Sequence, residues 1–261
     1  MFSIIRNNHF TKIVFYHKAK EKHLKDINER DYLSESLARS KRTIIELGLC
    51  NNWRFFATFT FSINRKDYDF NKNKLLTFFE NVKKRKDKTL KYLLIPELHK
   101  DKSIHFHALI YFENEAISLD YLYTDKKTKN KVFYSPLLNK KLGRNNFIPI
   151  DQDSPAVSFY ISKYISKDCD RIFGVSYFCS KGLNKAERKS FDNDELANDV
   201  KKFLYENNIN CFQTEYNEIY SINNNFLLTL FSKFDIIQLE GGNLQNNNKL
   251  KENEKNENRR S

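Results

Sequence analysis

The most informative stretch of this chain is IHFHALIYF at residues 104–112. Its apolar, β-branched and aromatic side chains are typical of a buried β-strand. Because successive side chains on a strand point to opposite faces, His105 and His107 project from one face while the apolar residues between and after them pack behind. A second β-like run at residues 92–97 precedes it, and a polar, charged connection joins the two. Together they predict a β-hairpin.

The segments around this hairpin predict an α+β fold. The run RFFATFTF at residues 54–61 is rich in β-formers, and period two places Phe56, Thr58 and Thr60 on one face and the other phenylalanines on the opposite one. Apolar residues at helical spacing before and after this run predict a helix on each side of it. Strands and helices that alternate with mostly local pairings favour a central antiparallel sheet flanked by helices over a doubly wound parallel sheet.

The chain is expected to divide into four regions. Residues 1–50 are predicted to form an N-terminal basic helical region, residues 51–185 the core, and residues 186–240 a C-terminal α/β extension. Residues 241–261 are rich in Asn, Lys and Glu and contain no aromatic residue. Such a segment cannot bury enough apolar surface to offset its ordering entropy, so we expect a disordered polar tail.

Composition and charge restrict the function classes. The 261 residues carry 45 Lys and Arg against 33 Asp and Glu, a formal charge of +12, which predicts a polyanionic partner, most often nucleic acid or an acidic membrane face. No uncharged run is long enough to span a membrane, and the start lacks a secretory signal, so we expect a cytoplasmic protein without a membrane partner. The sequence has no phosphate-binding G-x-x-x-x-G-K-[ST] loop, so no nucleotide cofactor is expected. Its four cysteines have no C-x-x-C spacing, which argues against a zinc ribbon.

The two histidines could form part of a metal site. Both imidazoles share one face of the strand, and Glu97 joins them on that face if it lies opposite His105 across the hairpin. Two imidazoles and one carboxylate leave open positions for water or a phosphate oxygen, which suits Mn²⁺ or Mg²⁺ better than a structural Zn²⁺. The alternative is that both histidines are structural, half-buried residues of the sheet.

A tyrosine-rich segment supplies candidate nucleophiles. The sequence DSP at residues 153–155 predicts a helix start, and YISKYISK follows at residues 160–167. Tyr160 and Tyr164 are four residues apart, hence neighbours on one helical face, and each is followed three residues later by a lysine, Lys163 or Lys167. A phenol with a pKa near 10 needs a metal ion and a nearby cation to act as a nucleophile at neutral pH. Alternatively, one tyrosine fills the core and the lysines form a solvated face.

The order of these motifs resembles the HUH endonucleases, the rolling-circle replication initiators of phages and small plasmids. The strand at residues 56–61, the pair His105 and His107, and the segment at residues 160–167 follow one another as in that family, and the two tyrosines look like its paired-tyrosine subfamily. The similarity covers residues 33–185. The segments SKR at residues 40–42 and SKGL at residues 180–183 also look like phage-type members.

The resemblance implies a split βαβ core of the ferredoxin or RRM type. It also implies that His105 and His107 lie on a central strand and that Glu97 is the third ligand of a divalent metal ion, Mg²⁺ or Mn²⁺. A tyrosine then attacks the scissile phosphate, leaving a 3′-hydroxyl and a 5′-phosphotyrosine link that can later be religated. We expect Tyr164 to be the main nucleophile and Tyr160 its partner, with the order of use open.

In the same resemblance, Lys163 and Lys167 contact the scissile phosphate or stabilise the phenolate. The partner is single-stranded DNA at a hairpin or melted origin, and a host helicase supplies unwinding because no helicase domain is recognisable.

Three other interpretations remain open. The chain could be a transposase or a relaxase of the same chemistry, although relaxases usually carry a three-histidine cluster and transposases often a single tyrosine. It could also be a non-catalytic nucleic-acid-binding protein. A non-haem iron oxygenase uses two histidines and a carboxylate as well, but its usual H-x-[DE] pairing with a remote histidine is absent here.

Overall fold

The computed structural model describes residues 1–16, 29–113, 115–151, 155–165, 173–213, 217–234 and 236, with side chains in the first helix described from residue 35 onward. The chain forms two compact units. One contains Met1–Arg6, Phe10–Ala19 and Glu187–Ser261, and the other contains Asn7–His9 and Lys20–Ala186. All strand pairs among the described residues are antiparallel, and six α-helices accompany them. The predicted α+β class is confirmed, but the described residues form two sheets where the sequence predicted one.

The larger unit is built on a seven-stranded sheet. Its elements are α1 (Glu29–Leu49), β3 (Phe55–Thr60), α2 (Tyr68–Arg85), β4 (Lys91–Leu98), β5 (Ile104–Tyr111), β6 (Asp120–Thr124), β7 (Lys131–Tyr134), α3 (Pro136–Lys141), β8 (Asn145–Pro149), α4 (Ala156–Ile161) and β9 (Phe178–Cys179). The strand order is β6-β7-β8-β3-β5-β4-β9. Strands β3 and β4 both pair with β5 in antiparallel fashion, so they run parallel to each other with β5 between them. Helix α2 connects β3 to β4, which makes a split βαβ unit.

The two faces of this sheet are covered by different helices. On one face, Ala57 and Phe59 of β3 belong to the same core cluster as Leu75 and Phe79 of α2. On the other face, apolar residues of β4 and β5 pack with α1, Trp53 and α4, in a cluster that includes Leu93, Leu109, Ile44 and Ile161. Burial in β3 alternates residue by residue, as the period-two pattern predicts. The second face is the one that carries the histidines.

The predicted hairpin is confirmed, and its register fixes the site. Strand β5 pairs with β4 so that Glu97 lies opposite His105, as the sequence analysis assumed. Strand β5 pairs on its other side with β3, where Thr58 lies opposite His107 and Thr60 opposite His105.

The smaller unit is built on a five-stranded sheet. Its elements are β1 (Phe2–Arg6), β2 (Thr11–Tyr16), β10 (Glu187–Phe191), α5 (Asp194–Glu206), β11 (Cys211–Gln213), β12 (Asn217–Ile222) and α6 (Asn224–Phe234). The strand order is β10-β1-β2-β12-β11. The two helices supply its apolar partners: Val200 and Leu204 of α5 and Leu230 of α6 pack with Phe2 and Ile13 of the sheet.

The division of the chain differs from the four regions that the sequence predicts. Residues 1–50 contain β1 and β2 before α1, so they are not a helical region throughout. The short runs FSIIR and TKIVFY carry β-branched and aromatic residues and pair with each other and with β10 and β12. The predicted tail at residues 241–261 lies outside the described residues. No helix of the described part of the chain is long and apolar enough to cross a membrane.

Candidate active site

Each of the two histidines is held at Nδ1 by a threonine of the neighbouring strand. Thr60 Oγ1 lies 3.1 Å from His105 Nδ1, and Thr58 Oγ1 lies 3.3 Å from His107 Nδ1. A hydroxyl can donate or accept, so it satisfies either tautomer of the imidazole. When Nδ1 carries the proton and donates to the threonine, the Nε2 lone pair is available to a ligand.

Glu97 faces the same histidines from β4. Its Oε2 lies 2.7 Å from His107 Nε2, and because an ionised carboxylate can only accept, the imidazole donates this hydrogen bond. His107 therefore carries its proton on Nε2 in this arrangement, and Nδ1 accepts from Thr58.

Burial keeps both imidazoles neutral. Burial is the largest effect on His105 and, together with the positive charges of His99 and His107, lowers its pKa to about 4, although Glu97 opposes the shift. Burial likewise lowers the pKa of His107 against the raising effect of the Glu97 hydrogen bond. Both side chains are less than a tenth exposed, at 8% and 7%. A neutral imidazole is the form that binds a metal ion.

The donor set suits a divalent metal ion in chemical type, but the side chains do not converge as ligands in this arrangement. Among the described residues, no group of three or more His, Cys, Asp and Glu side chains is placed to hold a metal ion. The Glu97–His107 hydrogen bond occupies the direction in which both groups would have to bind. A metal ion would take the place of the Nε2 proton, and a tautomer switch of His107 would turn Nδ1 toward Thr58 as a donor. The threonine hydroxyl accommodates that switch by rotating.

The two tyrosines of the YISKYISK segment lie directly on this cluster. The Tyr164 ring stacks on the His107 ring, with centroids 3.5 Å apart and an angle of 15° between the planes. Its hydroxyl donates a hydrogen bond of 2.7 Å to the Tyr160 hydroxyl. Burial, the hydrogen bond with Tyr160 and the charges of Tyr160 and Glu97 together raise the pKa of Tyr164, so its phenol is protonated at neutral pH.

Phe56 of β3 supports this aromatic group from below. Its ring centroid lies 5.9 Å from that of His107, 5.6 Å from that of Tyr160 and 6.2 Å from that of Tyr164. These distances are typical of favourable aromatic pairs. Phe56 is thus the shared contact that fixes the tyrosine pair against the histidine strand.

The helix that carries the tyrosines is shorter than the sequence predicts. α4 ends at Ile161, and a single 3₁₀ turn, Ser162–Tyr164, follows. The Ser162 hydroxyl donates to the Phe159 carbonyl, a local bond that competes with the helical ladder. Lys163 Nζ lies 5.6 Å from the centre of the Tyr160 ring, and Lys167 lies outside the described residues.

Three residues of the cluster were not singled out as site residues from the sequence. Thr58 and Thr60 required the pairing of β3 with β5, which joins residues far apart in the chain. His99 stacks on His105 with ring centroids 3.6 Å apart. Its position two residues after Glu97, on the same face of a strand, was the signal that could have found it.

One family model matches the part of the chain that contains this cluster. The model of the ORF2 family of replication-associated proteins matches residues 54–169. The matched span includes Glu97, both strand histidines and both tyrosines. No curated protein and no solved structure matches the chain. Over residues 54–169, the chain belongs to the ORF2 family of replication-associated proteins.

Proposed function

We propose that the chain initiates rolling-circle replication as an HUH endonuclease that nicks single-stranded origin DNA. The family supports a role in the initiation of replication. The observation that carries the chemical part of the proposal is the contact of a tyrosine pair with a histidine pair, in which the Tyr164 ring stacks on His107 and the Tyr164 hydroxyl bonds to Tyr160. A structural tyrosine would gain nothing from placing its hydroxyl next to a second phenol at the edge of such a cluster.

In this proposal, His105, His107 and Glu97 hold one divalent metal ion, Mg²⁺ or Mn²⁺. When bound, the ion supplies Lewis-acid polarisation of the scissile phosphodiester and compensation of its developing charge. The chain provides the neutral imidazoles, the carboxylate and the two threonine hydroxyls that orient the rings.

Tyr164 is the proposed nucleophile because it is the tyrosine that contacts His107. Its Oη forms a bond to phosphorus while the bond from phosphorus to the 3′ oxygen breaks. The phenolic proton leaves along the hydrogen bond to Tyr160, which is 46% exposed and can pass it to solvent. The departing 3′ oxygen takes up a proton and becomes a hydroxyl, and the 5′ phosphate stays on Tyr164 as a phosphotyrosine ester.

Tyr160 is the proposed second nucleophile. Its hydroxyl is within 2.7 Å of the Tyr164 hydroxyl, so both phenols can reach one phosphate position with small rotations. The ester retains the free energy of the phosphodiester, and attack by a 3′-hydroxyl on it restores a DNA bond and frees the tyrosine. This exchange provides strand transfer and circularisation without a nucleotide cofactor.

The cations of the same segment are proposed to act on charge. Lys163 is exposed and lies next to the Tyr160 ring, where it can pair with a phosphate oxygen or favour a phenolate. Lys167 is proposed for the same role on the sequence alone. The overall charge of +12 suits a single-stranded DNA substrate, which we expect at an origin hairpin, with unwinding by a host helicase.

The relaxase alternative would use three histidines around one metal ion. His99 does bring a third imidazole near the pair, but it stacks face to face on His105 and does not point at a common centre with it. The paired tyrosines and the replication family favour the initiator.

A covalent-trapping gel tests the proposal. Purified protein is incubated with a pool of random single-stranded DNA and Mn²⁺ or EDTA, and the products are separated in SDS. We expect an SDS-stable protein–DNA band that needs metal, is lost in Tyr160→Phe/Tyr164→Phe, and persists in the matched variant Tyr121→Phe/Tyr123→Phe on the exposed strand β6. Absence of the band with every metal, with DNA binding intact and indifferent to EDTA, would leave a binding protein and refute the nuclease.

A further inference from the structure

A groove of about 650 Å³ lies on the face of the large sheet opposite the histidines. One wall is helix α2, whose residues from Phe70 to Arg85 line it at helical spacings of three and four. The other wall contains residues 116–118 and helix α3. Helix α2 packs on the face of β3 that carries Ala57 and Phe59, while Thr58 and the histidines occupy the other face. The groove is therefore separate from the proposed nuclease site.

The charges of the groove have one sign. Four cationic side chains line it, Lys74, Arg85, Lys86 and Lys141, and none of its lining residues is Asp or Glu. Among the residues that the structure describes, none of the four cations forms an ion pair. They come from both walls, so an anionic ligand in the groove would have cations on each side.

The floor of the groove is apolar. Phe78, Val82 and Ile117 are buried there, while Phe70 and Leu137 are 39% and 45% exposed at its rim. Lys74 Nζ lies 5.2 Å from the centre of the Phe70 ring, which places a cation next to an exposed aromatic face. Asn73, Thr77 and Asn81 add hydrogen-bonding groups along α2.

We propose that this groove binds a short segment of single-stranded DNA, with its bases on the apolar floor and against Phe70 and its phosphates at the cationic rim. Alternating planar apolar groups and negative charges are what the groove complements, and sequence-tolerant stacking combined with a cationic track is the usual way single strands are bound. A duplex would keep its bases away from the floor. The inference rests on the DNA substrate of the proposed function but not on its chemistry, so it adds a second contact on the far side of the sheet.

Binding measurements on the full chain test this inference. Tyr160→Phe/Tyr164→Phe serves as the parent so that cleavage does not interfere, and fluorescence anisotropy follows a labelled oligothymidylate of about 12 nucleotides, within the roughly 4–16 that single-strand-binding folds cover. Lys74→Gln/Arg85→Gln/Lys141→Gln should reduce the slope of log affinity against log salt by about 2, at about 0.7 for each lost phosphate contact. Lys126→Gln/Lys127→Gln/Lys129→Gln, in the β6–β7 turn, removes the same charge outside the groove and should reduce it less.

A second pair of measurements isolates the bases. Phe70→Ala should weaken binding of the oligothymidylate by about 5- to 100-fold, as expected for loss of base stacking. It should leave binding of an abasic oligonucleotide of equal length unchanged, since that probe keeps the phosphates alone. Because Phe70 is exposed, urea denaturation should show this variant as stable as the parent.

Three results would overturn the inference. One is an equal effect of the two triple variants, which would mean that only net charge matters. Another is an equal effect of Phe70→Ala on both oligonucleotides. The third is an effect of Phe70→Ala on binding of an oligo(Glu-Phe) peptide but not of DNA, which would make the groove a site for acidic peptides. Failure of covalent trapping with the groove effects intact would refute the nuclease alone.

Discussion

The replacement Thr60→Val perturbs the proposed metal site without touching a ligand. It removes the hydroxyl that lies 3.1 Å from His105 Nδ1 and keeps the shape of the side chain. His105 is only 8% exposed, so water does not readily replace the lost partner. Leaving a buried polar group without a partner costs about 1–3 kcal/mol.

This cost falls on the tautomer that binds metal. With Nδ1 protonated and unpaired, the form of His105 that offers its Nε2 lone pair is disfavoured, and each 1.4 kcal/mol or so corresponds to a factor of about 10 in affinity. We therefore expect Mn²⁺ to bind about 10- to 100-fold more weakly, the usual range for loss of a partner that orients a ligand. The free energy of unfolding should fall by only about 1 kcal/mol, since valine is a good strand residue.

Isothermal titration calorimetry with Mn²⁺ at neutral pH measures the effect, on wild type and on Thr60→Val. The control Thr124→Val removes an exposed hydroxyl that bonds to Tyr121 on β6, away from the cluster, and should bind Mn²⁺ like the wild type. Wild-type affinity in Thr60→Val would refute the orienting role of the threonine. Absence of Mn²⁺ binding by the wild type would refute the metal site itself.

Three further predictions concern the fold and the chemistry. Asp87 accepts hydrogen bonds from Thr89 and from the backbone N–H of Glu113, and although burial acts in the opposite direction these bonds lower its pKa; its contribution is present above about pH 4 and lost as pH falls through the lowered pKa. Asp87→Asn should thus cost about 2 kcal/mol in urea denaturation at neutral pH and less near pH 3; an equal cost at both would contradict the linkage. A Cβ at Gly48 would lie 2.7 Å from Ser158 Cβ and Oγ, so Gly48→Ala should displace α4 and lower stability by about 1–3 kcal/mol, seen as a lower Tm; an unchanged Tm would show that α1 and α4 can separate freely. Lys163→Gln should slow nicking roughly tenfold or more in a single-turnover assay while oligonucleotide affinity changes less; a larger loss of binding than of rate would make Lys163 a DNA-binding residue only.

Local patterns in the sequence predicted the geometry of the site well. Period two assigned His105 and His107 to one face of a strand, and the short connection between β4 and β5 fixed a register in which Glu97 lies opposite His105. Spacing alone predicted that Tyr160 and Tyr164 are neighbours, and their hydroxyls are indeed bonded. Each of these inferences depends on residues that are close in the chain.

Features that depend on distant residues were not predictable in this way. The contact of Thr60 with His105 joins residues 45 apart, and the Ser3–Ser190 contact between β1 and β10 joins residues 187 apart. A single sequence contains no signal for such pairings, so the second sheet was missed and residues 1–50 were predicted to be helical. The direct hydrogen bond between Glu97 and His107 was likewise not foreseen, because register specifies neighbours but not which side-chain atoms meet.

The central claim is that a tyrosine of the pair attacks DNA and keeps its 5′ phosphate. The most direct measurement uses a single-stranded substrate cleaved in the trapping assay and labelled separately at its 5′ and 3′ ends, followed by protease digestion and mass spectrometry of the protein-linked product. We expect the 3′-end label to stay with the protein, the other fragment to carry an extendable 3′-hydroxyl, and the nucleotide adduct to map to Tyr164, or to Tyr160 when Tyr164 is replaced by Phe. An adduct on any other residue, a protein-linked 5′-end label, or cleavage without a covalent product would contradict the account.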